Sequence, residues 1–423
     1  MDKFVIQGNR TLKGTIQTSG AKNASLALMP ATILAPGSYR LSNTPELRDV
    51  GTMRRLLETL GLVVSRSGDT LSIDSREIRS FEAPYEHVKK MRASIYVLGP
   101  LLARYGTARV SLPGGCAWGP RPVNLHIEGL KKLGAQIELE AGYIVAKASR
   151  LKGTRIAFEI SSVGATGNIL MAAVLAEGTT VIENAAQEPE IVALAHFLSA
   201  MGARISGAGT TRLTIEGVHA LHPSDVQTIP DRIEAGTFLI AGAMAGDPSA
   251  SVRVEACDPS HLSAVLEKLK EAGAAIIVRG SSVELRPPEV IQPVSVTTGV
   301  YPGFPTDMQA QWIALMSLAS GTSMITDTVY FDRFTHVPEL ARLGGQITVR
   351  ENTATVVGVR RLTGAKVMST DLRASASLIL SGLAAEGTTE VLRVYHLDRG
   401  YERIEKKLNG LGARIRRVSG EEF

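Results

Sequence analysis

Cysteine is almost absent from this chain: two residues in 423, Cys116 and Cys257. Two thiols make no disulfide framework and no zinc-binding cysteine pattern. Aromatic residues are scarce too, 5% of the chain with two tryptophans, and no run of five like charges occurs. Nucleic-acid binders concentrate Lys and Arg, often beside stacking aromatics. Here the net charge is only +5 and the arginines stand singly beside Gly, Asp and Pro. Such arginines suit small anions, so no nucleic-acid partner is expected. No stretch reaches 18 uninterrupted apolar residues, so no membrane insertion is expected either. The opening Met-Asp-Lys-Phe-Val-Ile-Gln-Gly8 has no long apolar core of the signal-peptide kind, and the expected location is the cytoplasm.

What the chain does have is a soluble balance, 44% hydrophobic and 21% charged, and a length natural for two domains. It repeats itself six times. One marker is a helix end followed by a strand, closing at Gly61, Gly134, Gly202, Gly273, Gly344 and Gly412. A second marker precedes each, another glycine before a β-rich stretch: Gly37, Gly106, Gly178, Gly246, Gly321 and Gly387. Glycine at these places is expected to be the left-handed residue that stops a helix. Each unit of about 70 residues then reads helix, strand, helix, strand, with hairpin segments between. The first helix of each unit is apolar on all sides and should be buried on all sides; the second is amphipathic. The expected fold class is α/β, with two inside-out α/β domains of three units each, buried helices surrounded by sheets. The opening hairpin, with Leu12-Lys-Gly-Thr15, resembles Leu151-Lys-Gly-Thr154 and Leu362-Thr-Gly-Ala365. It need not belong with its own neighbours in space.

Chemistry gathers in a few places. Cys116 lies between Pro113-Gly-Gly115 and Gly119-Pro-Arg-Pro122, an irregular loop by its prolines and glycines. Arg121, five residues away, can hold a reachable thiol as thiolate. Cys257, after a strand-like Ser-Val-Arg-Val-Glu-Ala, reads as structural. The six apolar helices begin with polar residues, including Lys22-Asn23, Arg92, Ser162-Val-Gly164, Asp231-Arg232, Thr306-Asp307 and Asp371-Leu-Arg373. Capping explains Ser and Asp there. It does not explain Lys22, Arg92 and Arg373, which are unfavourable beside a helix's positive end unless an anion answers them. Asp307, fixed by two prolines, reads equally as a cap or as a general base. Arg399 beside Gly400 can reach a ligand, or pair with Asp398 or Glu402.

Taken together, Ser19-Gly-Ala-Lys-Asn23, Met91-Arg-Ala-Ser94, Leu112-Pro-Gly-Gly-Cys116, Arg121-Pro-Val123, Ser162-Val-Gly-Ala-Thr166, Phe304-Pro-Thr-Asp-Met-Gln309, His336-Val-Pro-Glu-Leu340, Asp371-Leu-Arg-Ala-Ser-Ala-Ser377 and Asp398-Arg-Gly-Tyr-Glu-Arg403 resemble the UDP-N-acetylglucosamine enolpyruvyl transferases of the enolpyruvyl transferase superfamily. The resemblance runs over essentially the whole chain. It implies domains at 22–229 and at 1–21 with 230–423, an active site in the cleft between them, and no metal or organic cofactor. It implies transfer of the enolpyruvyl group of phosphoenolpyruvate to the 3-hydroxyl of the nucleotide-sugar, with release of phosphate, as the committed step of peptidoglycan synthesis. Cys116 would supply a proton to the methylene and can bond covalently to the substrate, and Asp307 would take the hydroxyl proton. Lys22, Arg121 and Arg399 would hold phosphoenolpyruvate; Asn23 and Arg92 would orient the sugar and phosphates. Pro122, Val123, Asn124, Leu125, Ser162, Val163 and Gly164 would meet the nucleotide, Val329 would line the sugar pocket, and Arg373 would add a further cation. Three departures stand out: Asn124 where Asp is usual, Arg48 where Lys is common, and a bulky Ala117-Trp118. The alternatives are a shikimate 3-phosphate enolpyruvyl transferase, which lacks this cysteine loop, and a non-catalytic nucleotide-sugar sensor.

Overall fold

The computed structural model describes residues 2–89, 91–112 and 123–419. The chain forms two units, Gly20–Ile229 and Met1–Ser19 with Pro230–Phe423. The first break falls after Ser19, two residues before the boundary read from the sequence.

The unit Gly20–Ile229 holds three four-stranded sheets of one design. In the first, Val226–Gln227 runs parallel to Ser38–Ser42, which is antiparallel to Thr70–Asp74, itself antiparallel to the edge strand Val63–Ser67. The second repeats this with Glu82–Ala83, Thr107–Ser111, Tyr143–Lys147 and Gln136–Glu140. The third does so with Arg155–Ala157, Thr179–Glu183, Arg212–Glu216 and Arg204–Ser206. Strands alternate outward and inward side chains, as Tyr39 and Leu41 show by facing the core. Inside lie the apolar helices Lys22–Ala31, Leu98–Tyr105 and Val163–Ala173, whose side chains are buried almost all round. The amphipathic helices bury one stripe each; Arg48–Leu60 turns Met53, Leu56, Leu57 and Leu60 inward. Burial of these apolar surfaces is the main stabilising term.

The other unit has the same three-sheet design, but its chain order is permuted. Its buried helices are Arg232–Ala245, Gln309–Met316 and Ala374–Ala384. The strand Asp2–Gln7 lies between Thr388–Leu392 and Arg414–Ser419. It takes the place that Arg212–Glu216 fills in the other unit. Gly14–Gln17 runs parallel to Val252–Glu255, the place of Val226–Gln227. The opening segment is therefore not a hairpin: its two strands enter two different sheets. The reason is register, since each strand completes a sheet whose other strands come from beyond residue 230.

The likeness among the Leu12, Leu151 and Leu362 segments has a structural cause. Each makes an isolated parallel bridge just past a buried helix: Leu12 to Gly246, Lys152 to Glu177 and Thr363 to Glu386. A Cβ on Gly153 or Gly364 would sit 2.4 Å from the carbonyl oxygen of Thr179 or Thr388, so only glycine lets the backbones approach. The helix-stop expectation needs one correction. All six glycines of the first marker have positive φ, but in the second marker Gly321 does not, and neither does Gly246, whose φ is −72°. Glycine is required there for closeness: a Cβ would lie 2.2 Å from the Gly242 carbonyl oxygen.

Candidate functional site

In the unit Gly20–Ile229, Lys22 and Asn23 open the first buried helix, whose N-cap residue Ala21 makes no side-chain cap bond. Lys22 is buried, with its Nζ 3.5 Å from Asp49 Oδ2. Asp49 sits in the first turn of the helix Arg48–Leu60, where a carboxylate complements the helix dipole. The Lys22 cation is thus already answered by a carboxylate of the chain. Arg92, half-buried, begins the 3₁₀ turn Arg92–Val97 before the second helix.

Ser162 is the cap of the third helix, its Oγ accepting from Ala165 N at 3.3 Å. Capping accounts for the Ser162 hydroxyl, while its neighbours Val163 and Gly164 line the same turn. The Val163 carbonyl accepts from the Tyr96 hydroxyl at 3.3 Å. A Cβ on Gly164 would lie 3.1 Å from His126 Nε2, so the imidazole packs directly on this turn. His126 belongs to the helix Asn124–Lys132, which Val123 precedes as N-cap. On that helix Asn124 is exposed and Leu125 half-buried. The His126 ring contacts Asn168 Nδ2 at 3.0 Å through Nδ1. Asn168, at the centre of the buried helix, also donates to the Ile95 carbonyl and accepts from Gly99 N. Burial, aided by the charge of Arg92, lowers the His126 pKa to about 4, so the ring is neutral at physiological pH. Cys116, Arg121 and Pro122 lie outside the described residues.

In the other unit a cluster of carboxylates and guanidinium groups joins the starts of three buried helices. Asp231 caps the helix Arg232–Ala245, with Oδ1 accepting from Ile233 N and Glu234 N. Asp371 Oδ1 accepts from Arg373 N and Ala374 N at the start of Ala374–Ala384. Asp307 behaves differently. The N-cap positions around it, Pro305 and Met308, make no side-chain cap bond. Its Oδ1 instead accepts from Arg333 Nη1 at 2.7 Å, while Arg373 Nε stands 3.9 Å from Oδ2.

Arg373 is 1% exposed, and the anion that answers it is Asp231 at 3.0 Å. Its Nη1 also donates to the Gly400 carbonyl. Burial opposes the charges of Arg333 and Arg373. The carboxylates of Asp307 and Asp371 outweigh it at Arg333, and Asp231, Tyr401 and Asp307 do so at Arg373, so both groups are held above the usual arginine range. Val329 lies in a turn fixed by Asp327, whose Oδ1 accepts from Val329 N and Tyr330 N at 2.9 Å. Asp327 Oδ2 accepts from the Thr306 hydroxyl, which in turn accepts from Arg333. The Val329 turn and the Asp307 carboxylate are therefore tied into one network.

Arg399, half-buried, ends the 3₁₀ turn Val394–Arg399. Asp398 takes two bonds from Arg417, and Glu402 accepts from the Ser19 hydroxyl. Cys257 is 2% exposed and its Sγ points at the Val254 carbonyl. Burial and then Asp258 push that thiol up to about 11, the environment of an inert structural cysteine. Sequence reasoning passed over Arg333, Asp49, His126 and Asn168. Arg333 stands three residues before the His336-Val-Pro-Glu-Leu340 segment, the one signal that pointed near it.

Carboxylates locked to guanidiniums in one unit, and cations at the helix starts of the other, suit chemistry on small anionic substrates. The chain belongs to the EPSP synthase (3-phosphoshikimate 1-carboxyvinyltransferase) family, whose model matches residues 6–408. It is 61% identical to the UDP-N-acetylglucosamine 1-carboxyvinyltransferase of Chloroherpeton thalassium, over 100% of this chain and 99% of that protein. It is 57% identical to the protein of the same name from Chlorobium phaeovibrioides, over 100% of both. Among solved structures, the enolpyruvyl transferase NikO from Streptomyces tendae superposes with a TM-score of 0.90 at 27% identity, over 99% of each chain. The EPSP synthase of Acinetobacter baumannii does so with a TM-score of 0.76 at 19% identity, over 99% of this chain and 100% of that one. That last likeness speaks for the fold.

Proposed function

We propose that this chain is an enzyme that transfers the 1-carboxyvinyl group of phosphoenolpyruvate to the 3-hydroxyl of UDP-N-acetylglucosamine, releasing phosphate, in peptidoglycan synthesis. The observation that carries the reading is 61% identity, end to end, with a relative of that name. Asp307 is the general base. It is held by Arg333 rather than used as a cap, which leaves the carboxylate's role to the site instead of to helix stability. As the sugar oxygen attacks C2 of phosphoenolpyruvate, Asp307 takes the hydroxyl proton and the methylene C3 gains one from Cys116. Return of a C3 proton to the Cys116 thiolate with departure of phosphate from C2 restores the vinyl group on the sugar oxygen, and the proton held by Asp307 leaves with phosphate.

Lys22, Arg121 and Arg399 hold the phosphate and carboxylate of phosphoenolpyruvate. Asn23 and Arg92 orient the nucleotide-sugar, with Arg373 as a further cation. The segment Pro122–Leu125 and the turn Ser162–Gly164 meet the nucleotide, and Val329 meets the sugar. In this reading the lysine, arginine, aspartate and cysteine side chains carry the chemistry, and no metal or organic cofactor is called for. No helix among the described residues is long and apolar enough to cross a membrane, and both substrates are small polar anions, which supports a cytoplasmic setting.

The test is phosphate release from phosphoenolpyruvate with each acceptor in turn. Release with UDP-N-acetylglucosamine and none with shikimate 3-phosphate is the expected result. Release with shikimate 3-phosphate alone would favour the other acceptor, and nucleotide-sugar binding without release would favour a sensor.

A further inference from the structure

Arg417 makes more charged contacts than its place on an edge strand requires. It lies in Arg414–Ser419, the last strand of its sheet, opposite Phe4. Its guanidinium meets Asp398 through two bonds, at 3.0 and 2.5 Å. It also reaches Glu405 and Asp2, each at 3.4 Å, and stands 4.9 Å from the centre of the Phe4 ring. Asp398 and Glu405 bracket the segment Arg399-Gly400-Tyr401-Glu402-Arg403. One guanidinium therefore grips both ends of the stretch that presents Arg399.

The interior of that stretch is held as well. Arg373 donates to the Gly400 carbonyl, the Tyr401 hydroxyl meets Thr237 and Gln311, and Glu402 accepts from Ser19. Arg393 and Arg403, on either side, have φ of 56° and 47°, a left-handed conformation that non-glycine residues adopt only when their surroundings impose it. Every contact fixes the backbone around Arg399. The contact at Asp398, its immediate neighbour, is a two-bond fork, the geometry that carries most orientational information.

We propose that Arg417 is a positioning residue for phosphoenolpyruvate binding: through Asp398 it sets the direction in which Arg399 meets the anion. The inference rests on the functional reading above. The bland alternative is that Arg417 merely ties the chain ends to the unit, and its contact with Asp2 supplies the control. The experiment measures KM for each substrate separately, kcat and melting temperature for the parent chain, Arg417→Met, Arg417→Lys, Asp398→Asn and Asp2→Asn.

Arg417→Met and Asp398→Asn are each expected to raise KM for phosphoenolpyruvate about tenfold, the scale of a lost charge-assisted bond, and to leave KM for the nucleotide-sugar unchanged. The double variant should be no worse than either single one, because both remove the same fork. Arg417→Lys, a cation without the fork, should fall between parent and Arg417→Met. Asp2→Asn should move the melting temperature alone. If Arg417→Met does not fold, Asp398→Asn carries the test. An unchanged phosphoenolpyruvate KM, or equal changes for both substrates that follow melting temperature, would overturn the proposal while leaving the functional reading intact. A folded parent chain that releases no phosphate would overturn that reading and the inference with it.

Discussion

The two units share one design and use its helix starts in opposite ways. In the unit completed by the chain's first strands, carboxylates stand at the starts of all three buried helices: Asp231, Asp307 and Asp371. Two of them cap, and two buried arginines bind the set together. In the other unit the corresponding starts carry Lys22, Arg92 and Ser162, and only Ser162 caps. A helix start closed by its own carboxylate has little left to offer an anion, whereas a start without a side-chain cap still presents a partial positive charge. Under the proposed function this difference puts the base, Asp307, in one unit and the cations Lys22 and Arg92 in the other, while Arg399 adds an anion ligand on the side of the base. Both copies also bury a neutral histidine near an arginine. Burial followed by the charge of Arg92 lowers His126 to about 4, and burial followed by the charge of Arg333 lowers His336 to about 3.

The division of labour can be broken most severely at the thiols. Alkylation by a small electrophile should abolish turnover through Cys116, and phosphoenolpyruvate should protect. Cys257, buried with a raised pKa, should stay unmodified in the folded chain. Peptide mapping that found Cys257 as the sole adduct in inactivated protein would contradict this.

A smaller effect is expected on the anion-holding side. Lys22→Met leaves Asp49 without its buried cation, and should raise KM for phosphoenolpyruvate about thirtyfold or more, from a loss of about 2 kcal/mol. An unchanged KM would remove Lys22 from the anion set.

Acid should then test the two histidines. An unfolded imidazole takes up a proton as pH falls through its ordinary 6.5, whereas folded His126 resists until about 4. Between those values the unfolded state binds more protons, so stability is full above pH 6.5 and falls as pH drops to about 4. The total for His126 is about 3 kcal/mol. His336 acts in the same sense down to about 3, and its ring nitrogens have no protein hydrogen-bond partner among the described residues. Denaturant midpoints across this range should show the decline, and His126→Gln should flatten it. An unaltered slope in that variant would place the titration elsewhere. The smallest effect belongs to Ser162→Ala, a lost cap worth about 1 kcal/mol in a melting experiment.

The repeat was legible because each unit stops its second helix with a left-handed glycine, places another glycine after its first, and starts strands with β-branched residues, and those signals recur about every 70 residues. The burial of the apolar helices followed from their composition. What could not be read was how the ends join the sheets. Asp2–Gln7 and Gly14–Gln17 carry ordinary strand patterns, and nothing in them names partners some 240 to 410 residues away. The same holds for the site. Arg373 was visible as a misplaced cation, but its anion, Asp231, lies 142 residues off and reads locally as an ordinary cap. Arg333 lacks any motif of its own. Asp307 read equally as cap or base, and only the geometry shows its carboxylate turned to a guanidinium.

That residue offers the most direct test of the account. Asp307→Asn keeps an oxygen for Arg333 and removes the base. Phosphate release and calorimetric binding of UDP-N-acetylglucosamine, measured on the same preparation, should separate the two roles. The account predicts binding close to that of the parent chain and turnover lower by at least about a hundredfold. Near-normal turnover with a melting temperature lowered by several degrees would contradict it, and would make Asp307 a structural residue.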